Sequence, residues 1–182
     1  MMNNQLQSMI TIAIFAAIIG ILAQITIPLP LIPITGQTLA IGLAATILGA
    51  RHGTFATLLY ILIGIIGIPV FAQMTAGLGV VFGPTGGFLV GFIPTTYFIG
   101  QYLKWTSYTV QHAIIANIIG MFITLSFGTV WLKYLADLSW TAAFMSGFIP
   151  FLIVGIIKAV IAGWLGIIVR RRLLTAKLIP TT

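Results

Sequence analysis

Long apolar runs recur along the whole chain, and they constrain its fold more than any other feature. Only 5% of the 182 residues are charged, with eight Lys or Arg and a single acidic residue, whereas a soluble domain carries about 25% charged residues. Repeated apolar runs with so little charge are typical of membrane-spanning helices. We therefore predict an all-α, polytopic membrane protein with six transmembrane helices in one bundle, and a single integral membrane domain over residues 1–182.

Turn signals divide the apolar runs into six predicted spans. Pro28, Pro30 and Pro33 exclude a helix between the first two runs and predict an extended apolar loop over residues 26–35. Further loops are predicted at 69–87 and 133–146. The predicted spans are 8–25, 36–50, 54–68, 88–104, 110–132 and 147–169.

The distribution of basic residues predicts the orientation of these spans. With six spans, both termini lie on the same side as Arg51, Lys104 and the basic run at 170–172, whereas the opposite side holds only Lys133 and Asp137, which cancel. The positive-inside rule then places both termini in the cytoplasm and the chain in the cell membrane. Because the basic residues are scattered over the span ends, no nucleic-acid partner is expected.

Several chemistries lack the residues that they need. The chain has no cysteine, and its one acid, Asp137, lies in a predicted outer loop, so neither a thiolate site nor proton coupling by an intramembrane carboxylate is expected. The run GPTGG at 83–87 lacks the Lys-Ser/Thr of a phosphate-binding loop. We predict no enzymatic activity, no cofactor and no metal, which leaves solute binding, passive passage or a subunit driven by another protein.

Lys158 is a cation in the middle of the sixth span. It lies roughly 16 Å below the outer end of that helix, where an unpaired charge costs at least about 2.5–3.5 kcal/mol. One interpretation is that the ammonium points into a polar gap or is bonded to backbone carbonyls. The favoured interpretation is that it binds an anionic solute whose carboxylate supplies the missing counter-ion. Gly155, one turn earlier, leaves space for such a ligand, although small residues more often serve helix packing.

Three amide side chains are further candidates for a binding site. Gln37 and Asn117 lie at predicted membrane depth or in the outer cap, where a buried amide needs a partner in the protein or on a ligand. Asn117 taken alone is more often structural. Gln73 lies in the 69–87 loop beside Phe71, a pairing suited to a ligand with a polar head and an apolar body.

A stripe of small residues runs along the first span. Ala13, Ala17 and Gly20 recur at the spacing that lets a second helix approach closely. This spacing does not separate internal packing from the docking of a partner protein.

Four ordered motifs carry a resemblance to a known family. They are IPLPLIPITGQTL at 27–39, LGARHG at 48–53, GIIGIPVF at 64–71 and GPTGGFLVGF at 83–92. In their order and spacing, the chain resembles the BioY family, the biotin-specific substrate-binding component of energy-coupling-factor transporters. The resemblance covers nearly the whole chain.

The resemblance implies a six-helix subunit that captures biotin from outside the cell. It also implies two kinds of partner, a transmembrane coupling subunit and two ABC-type ATPases, and it favours docking on the coupling subunit for the stripe Ala13, Ala17 and Gly20. The family pattern Pro-Phe-x-Pro-Gly-Asp-x-x-Lys is matched here in the last span at its Pro, its Phe and its Lys158. Gly155 stands at the position of the Asp.

These implications give the predicted site residues their roles. Lys158 is expected to pair with the valerate carboxylate and Gln73 and Gln37 to reach the ureido group. Phe71 and Phe82 are expected to cover the thiophane ring and chain, with Asn117 and Gly155 completing the site. The loops at 26–36 and 69–87 are expected to close over the ligand. Two alternatives remain open: a stand-alone facilitator or channel for biotin or another small carboxylated solute, and a scaffold subunit without a solute.

Overall fold

A computed structural model describes residues 4–179, most of which are helical. Two short strands and a 3-10 turn at Ala72–Met74 occur in the loops. The strands are β1 (Thr26–Ile27) and β2 (Ile34–Thr35). The helices are α1 (Asn4–Ala23), α2 (Gln37–Ile65), α3 (Leu78–Val81), α4 (Gly86–Trp105), α5 (Val110–Leu135), α6 (Trp140–Gly147) and α7 (Ile149–Thr175).

Helix α2 is a hairpin of two helical arms that meet at Gly49. Gly49 has φ 78° and ψ −176°, a conformation available essentially only to glycine. The arms run antiparallel, because Gln37 near the start of the first arm donates a 2.6 Å hydrogen bond to the Tyr60 hydroxyl on the second. The predicted spans 36–50 and 54–68 are these two arms. The gap predicted between these spans, at residues 51–53, is misplaced, since the break lies at Gly49 and residues 51–53 are helical.

The predicted loops differ in outcome. The proline-rich segment is extended, as predicted: Thr26 pairs with Thr35 and Ile27 with Ile34 in an antiparallel hairpin whose prolines occupy the connection. The predicted loop at 133–146 is wrong in part, because α5 runs to Leu135 and α6 fills residues 140–147. Ser139 starts α6 by accepting a hydrogen bond from the Ala142 N–H, a local capping signal.

The bundle is arranged around α2, which packs against α1, α4 and α7, while α5 lies between α4 and α7. Polar side chains join these helices at membrane depth. Thr95 of α4 bonds to Thr124 of α5 at 2.8 Å, and Asn117 of α5 donates to Thr46 of α2 at 2.9 Å. Such bonds satisfy polar groups where water is scarce and hold the helices in register.

The two ends of the described chain lie at the same end of the bundle. The Gln7 amide near the start of α1 donates to the Lys177 carbonyl just after α7, and α4 reaches this end as well, since Gly100 packs against Ala50. Four stretches among residues 4–179 are long and apolar enough to cross a membrane: Gln5–Ala23, Gln37–Ile65, Val110–Leu135 and Trp140–Thr175. Because the chain ends, the bend at Gly49 and the end of α4 share this end of the bundle, the basic residues predicted to be cytoplasmic gather there.

Candidate substrate-binding site

A cavity of about 320 Å³ lies in the half of the bundle opposite the chain ends. Its walls are formed by the segment around β2 and the start of α2, by the loop between α2 and α4, and by the facing sides of α4, α5 and α7. The lining is mainly apolar, with a few polar side chains from different elements. This volume and this chemistry are those of a small-molecule site.

Lys158 forms part of the cavity wall, and its ammonium is hydrogen-bonded to the protein. Nζ donates to the Thr35 carbonyl at 2.7 Å and lies 3.4 Å from the Thr38 hydroxyl. The structure therefore combines the two sequence interpretations: the lysine contacts a backbone carbonyl and also faces a cavity. The chain's only acid, Asp137, is in the turn after α5, and no carboxylate within the described residues pairs with this ammonium.

The start of α2 adds to the positive potential around Lys158. Its cap residue, Gly36, offers no side-chain cap, and the Gln37 N–H reaches the Thr35 hydroxyl at 3.3 Å. A helix N-terminus carries a partial positive charge. The cation and the helix end thus face the same corner of the cavity, and their combined charge favours an anion there.

The predicted amides lie at the cavity wall with different hydrogen bonds. Gln37 donates to the Tyr60 hydroxyl and accepts from the Thr35 hydroxyl at 2.7 Å. Asn117 uses both N–H groups on Thr46 and on the carbonyl of Ala113. Its Oδ1 accepts no hydrogen bond within the described part of the chain, so Asn117 offers the cavity a carbonyl oxygen. Asn117 is thus structural through its nitrogen and available through its oxygen.

The loop at 69–87 brings one predicted aromatic residue to the cavity and leaves the other outside. Phe71 is 1% exposed and packs edge-on against Tyr60, with ring centroids 5.6 Å apart, and Gln73 lines the cavity beside it. Phe82 is 64% exposed and lies outside the cavity wall. The prediction that Phe82 covers the ligand is therefore wrong for this geometry, because the turn after α3 directs its ring outward.

Gly155 lines the cavity, as its predicted role requires. An added Cβ at this position would meet the sulfur of Met121. Three further aromatic residues line the cavity, and they are not among the residues predicted for the site. Spacing was the available signal, because two of them lie one turn apart on α4 and a third follows Pro150: Phe88, Phe92 and Phe151.

The small-residue stripe of α1 is divided between two environments. Ala13 and Ala17 are exposed on the outer surface of the bundle. Gly20 is buried, and an added Cβ there would lie 3.3 Å from the Cβ of Val70. The prediction that Gly20 belongs to a docking surface is wrong, because the loop after α2 covers it.

Comparison with known proteins agrees with a small-molecule site in a membrane protein. The family model for BioY matches residues 1–175. The chain belongs to the BioY family. It is 46% identical over 173 residues to "Biotin transporter BioY2" of Lactococcus lactis, covering 95% of each chain, and 36% identical over 158 residues to the BioY biotin transporter of Thermotoga maritima, covering 86% of this chain and 92% of that one.

A solved S-component for biotin has the same fold as this chain. The crystal structure of the S-component for biotin from an ECF-type ABC transporter matches with a TM-score of 0.86 at 26% identity, over 94% of this chain and 95% of the other. The predicted family and the predicted helical membrane fold are thereby confirmed. BioY membership makes the chain a transport protein rather than an enzyme. Within residues 4–179, no three His, Cys, Asp or Glu side chains cluster as metal ligands.

Proposed function

We propose that this BioY protein is the substrate-specific subunit of an ATP-driven ECF transporter and captures biotin from outside the cell. The observation that carries the proposal is an uncompensated cation, Lys158, on the wall of an apolar cavity, in a chain whose relatives are named as biotin transporters. Biotin has an apolar thiophane ring and side chain, a polar ureido group and one carboxylate, so it would supply both the missing charge and a body that fits the mainly apolar lining of this cavity.

In the proposed complex, Lys158 binds the valerate carboxylate. The anion takes the place of the Thr35 carbonyl as its main partner and also gains from the positive end of α2. The ureido group carries N–H donors, which suit the Asn117 oxygen and the Gln73 side chain. Gln37 acts mainly through Thr35 and Tyr60, since its amide already bonds to both.

We also propose how the subunit sits in its assembly. The exposed residues Ala13 and Ala17 let a helix approach α1 closely, and they are the proposed contact with the transmembrane coupling subunit, which in turn engages two ABC-type ATPases. We propose that both termini lie in the cytoplasm, because most of the basic residues lie at their end of the bundle and the cavity lies at the other.

Isothermal titration of the purified protein with biotin and with biotin methyl ester tests the proposal. We expect saturable biotin binding, and an ester affinity at least about tenfold weaker, because a charge-assisted hydrogen bond contributes roughly 1.5–3 kcal/mol. Equal affinities would contradict the role of the carboxylate. Absence of biotin binding by folded protein would contradict the proposed solute.

A further inference from the structure

The segment 71–75 forms one wall of the cavity in a conformation that its own sequence does not favour. Gln73 and Met74 are consecutive non-glycine residues with φ 58° each, in the left-handed region that side chains with a Cβ adopt only under constraint. Such conformations persist where the surrounding structure determines them. Something outside the segment must therefore hold it in place.

Gln24, directly after the end of α1, makes the contacts that hold this segment. Its Nε2 donates toward the carbonyls of Val70 at 3.3 Å and Phe71 at 3.0 Å, and also toward the Gly20 carbonyl of its own helix at 3.0 Å. Its Oε1 accepts a 2.9 Å hydrogen bond from the Met74 N–H. One amide thus bonds to the segment on both sides of Gln73.

The remaining supports lie at the base of the segment. Gly77 donates to the Gly64 carbonyl at 2.7 Å, and the Phe71 ring lies over Gly64 so closely that a Cβ there would overlap it. The Phe71 N–H also bonds to the Thr75 carbonyl at 3.0 Å. These contacts close the loop on itself and on α2, whereas Gln24 is the side chain that ties its strained tip to α1.

We propose that Gln24 is a positioning residue for the substrate: it holds the segment 71–75 against the cavity and thereby slows the release of bound solute. This inference rests on the proposed function for the identity of the solute. Gln24 lines no part of the cavity, so it acts through Phe71 and Gln73. Because α1 also carries the exposed Ala13 and Ala17, the same amide joins the proposed docking helix to the wall of the site.

The test uses Gln24→Met, which keeps the length of the side chain and removes all four contacts, and Gln24→Asn, which keeps the amide but is one methylene shorter. Gln7→Met is the matched control, because the Gln7 amide also bonds α1 to a distant backbone carbonyl, that of Lys177, at the opposite end of the helix. Biotin release is measured by exchange of bound radiolabelled biotin against excess unlabelled biotin.

We expect release to accelerate about tenfold in Gln24→Met, with association nearly unchanged, since changes of this kind act mainly on dissociation rates. Gln24→Asn should lie between Gln24→Met and wild type, and Gln7→Met should match wild type. Release rates that are equal in Gln24→Met and Gln7→Met would overturn the inference. An equal fall in thermal stability in both Gln24 and Gln7 variants, with release still faster only in the former, would support it.

A second readout needs no solute. The chain contains no cysteine, so a spin label on Met74→Cys, whose parent side chain is 64% exposed, reports on the segment alone. The label should become more mobile with Gln24→Met and stay as in wild type with Gln7→Met. Unchanged mobility would overturn the inference. If wild-type protein did not bind biotin, the proposed function would fail, while the label would still test whether Gln24 holds the segment.

Discussion

Helix α7 carries two cations that make the same kind of contact at opposite ends of the first arm of α2. Lys158 donates to the Thr35 carbonyl just before that arm, and Arg170, twelve residues later, donates to the Ile47 carbonyl near its end. Both sites join α7 to the first arm of α2 through a cation that donates to a backbone carbonyl. They differ in what surrounds the charge.

Arg170 is at the favourable end of the α2 arm. A helix C-terminus presents unpaired carbonyls and a partial negative charge, which a guanidinium satisfies. The side chain is 4% exposed, and its Cζ lies 3.8 Å from the centroid of the Tyr108 ring. Lys158 faces the positive end of the same arm and borders a cavity. Arg170, called the inner cation because it lies at the end of the bundle that holds the chain ends, is structurally complete. Lys158, the outer cation, has no anionic partner among the described residues.

Packing around α7 follows the same division. In the inner half of α7, the half that includes Arg170 and lies toward the chain ends, an added Cβ at Gly163 would lie 2.6 Å from the Ile114 backbone nitrogen, so two helix backbones are in close contact. In the outer half, the neighbour of Gly155 is the flexible side chain of Met121. One half of the helix is fixed by backbone contacts, and the other borders space for a ligand.

Arg170→Met is the sharpest test of the difference between the structural cation and the cation at the cavity. This change removes the cation from the α2 terminus and leaves the Ile47 carbonyl without its guanidinium, and the stack on Tyr108 is lost. We expect a loss of roughly 2–4 kcal/mol in stability, seen as a clear drop in the Tm of the purified protein. Arg171→Met is the control, since that neighbour is exposed. Equal Tm values for the two variants would show that the inner cation is not structural.

Lys158→Met removes the outer cation in the same way, but it should weaken biotin binding and leave the stability of the protein nearly unchanged. We expect biotin affinity to fall by at least about 1.5–3 kcal/mol, the range for a hydrogen bond to a charged group, with the Tm close to that of wild type. Lys133→Met serves as the control, because that cation lies over the Tyr134 ring after the cavity-lining part of α5. Titration calorimetry gives the affinities. Unchanged binding in folded Lys158→Met would remove this lysine from the site.

The difference between Lys158 and Arg170 also marks what the sequence can predict. Lys158 stands alone within an apolar span, so its importance is visible from its position. Arg170 begins a run of three arginines that the sequence assigns to the cytoplasmic surface, and only the helical rotation of about 100° per residue turns it inward. A charge pattern predicts which end of a helix is basic, and packing decides which residue is buried there.

The same limit applies to the small and aromatic residues. Proline positions predict the extended segment 26–35, because proline cannot join a helix interior. The spacing of Ala13, Ala17 and Gly20 predicts close packing without saying what packs there. Of the three, only Gly20 is covered by the loop after α2. Phe82 and Phe88 are equally apolar, and the end of α3 and the start of α4 determine that only Phe88 lines the cavity.

Gly163→Ala tests the close helix contact of the inner half. The new methyl group would press on the backbone of Ile114, which cannot move without separating α5 from α7. We expect a loss of about 1–3 kcal/mol, as for other overpacked cores, measured as a lower Tm. Biotin affinity of the remaining folded protein should change little, because Gly163 lies outside the cavity wall. A Tm equal to that of wild type would contradict the proposed rigidity of this half.

Gly155→Ala is the matched change in the outer half and should have the smallest effect on stability. The added methyl group would overlap Sδ of Met121, a flexible side chain that can change rotamer at little cost. The Tm should therefore stay within a degree or two of wild type, a loss in stability well under about 1 kcal/mol. Because both residues line the cavity, the methyl group takes space from the ligand, and biotin affinity should fall severalfold. If Gly155→Ala lowered the Tm as much as Gly163→Ala, the outer half of α7 would be as tightly packed as the inner half. The contrast between a structural cation and a ligand-binding one would then lose its support in packing.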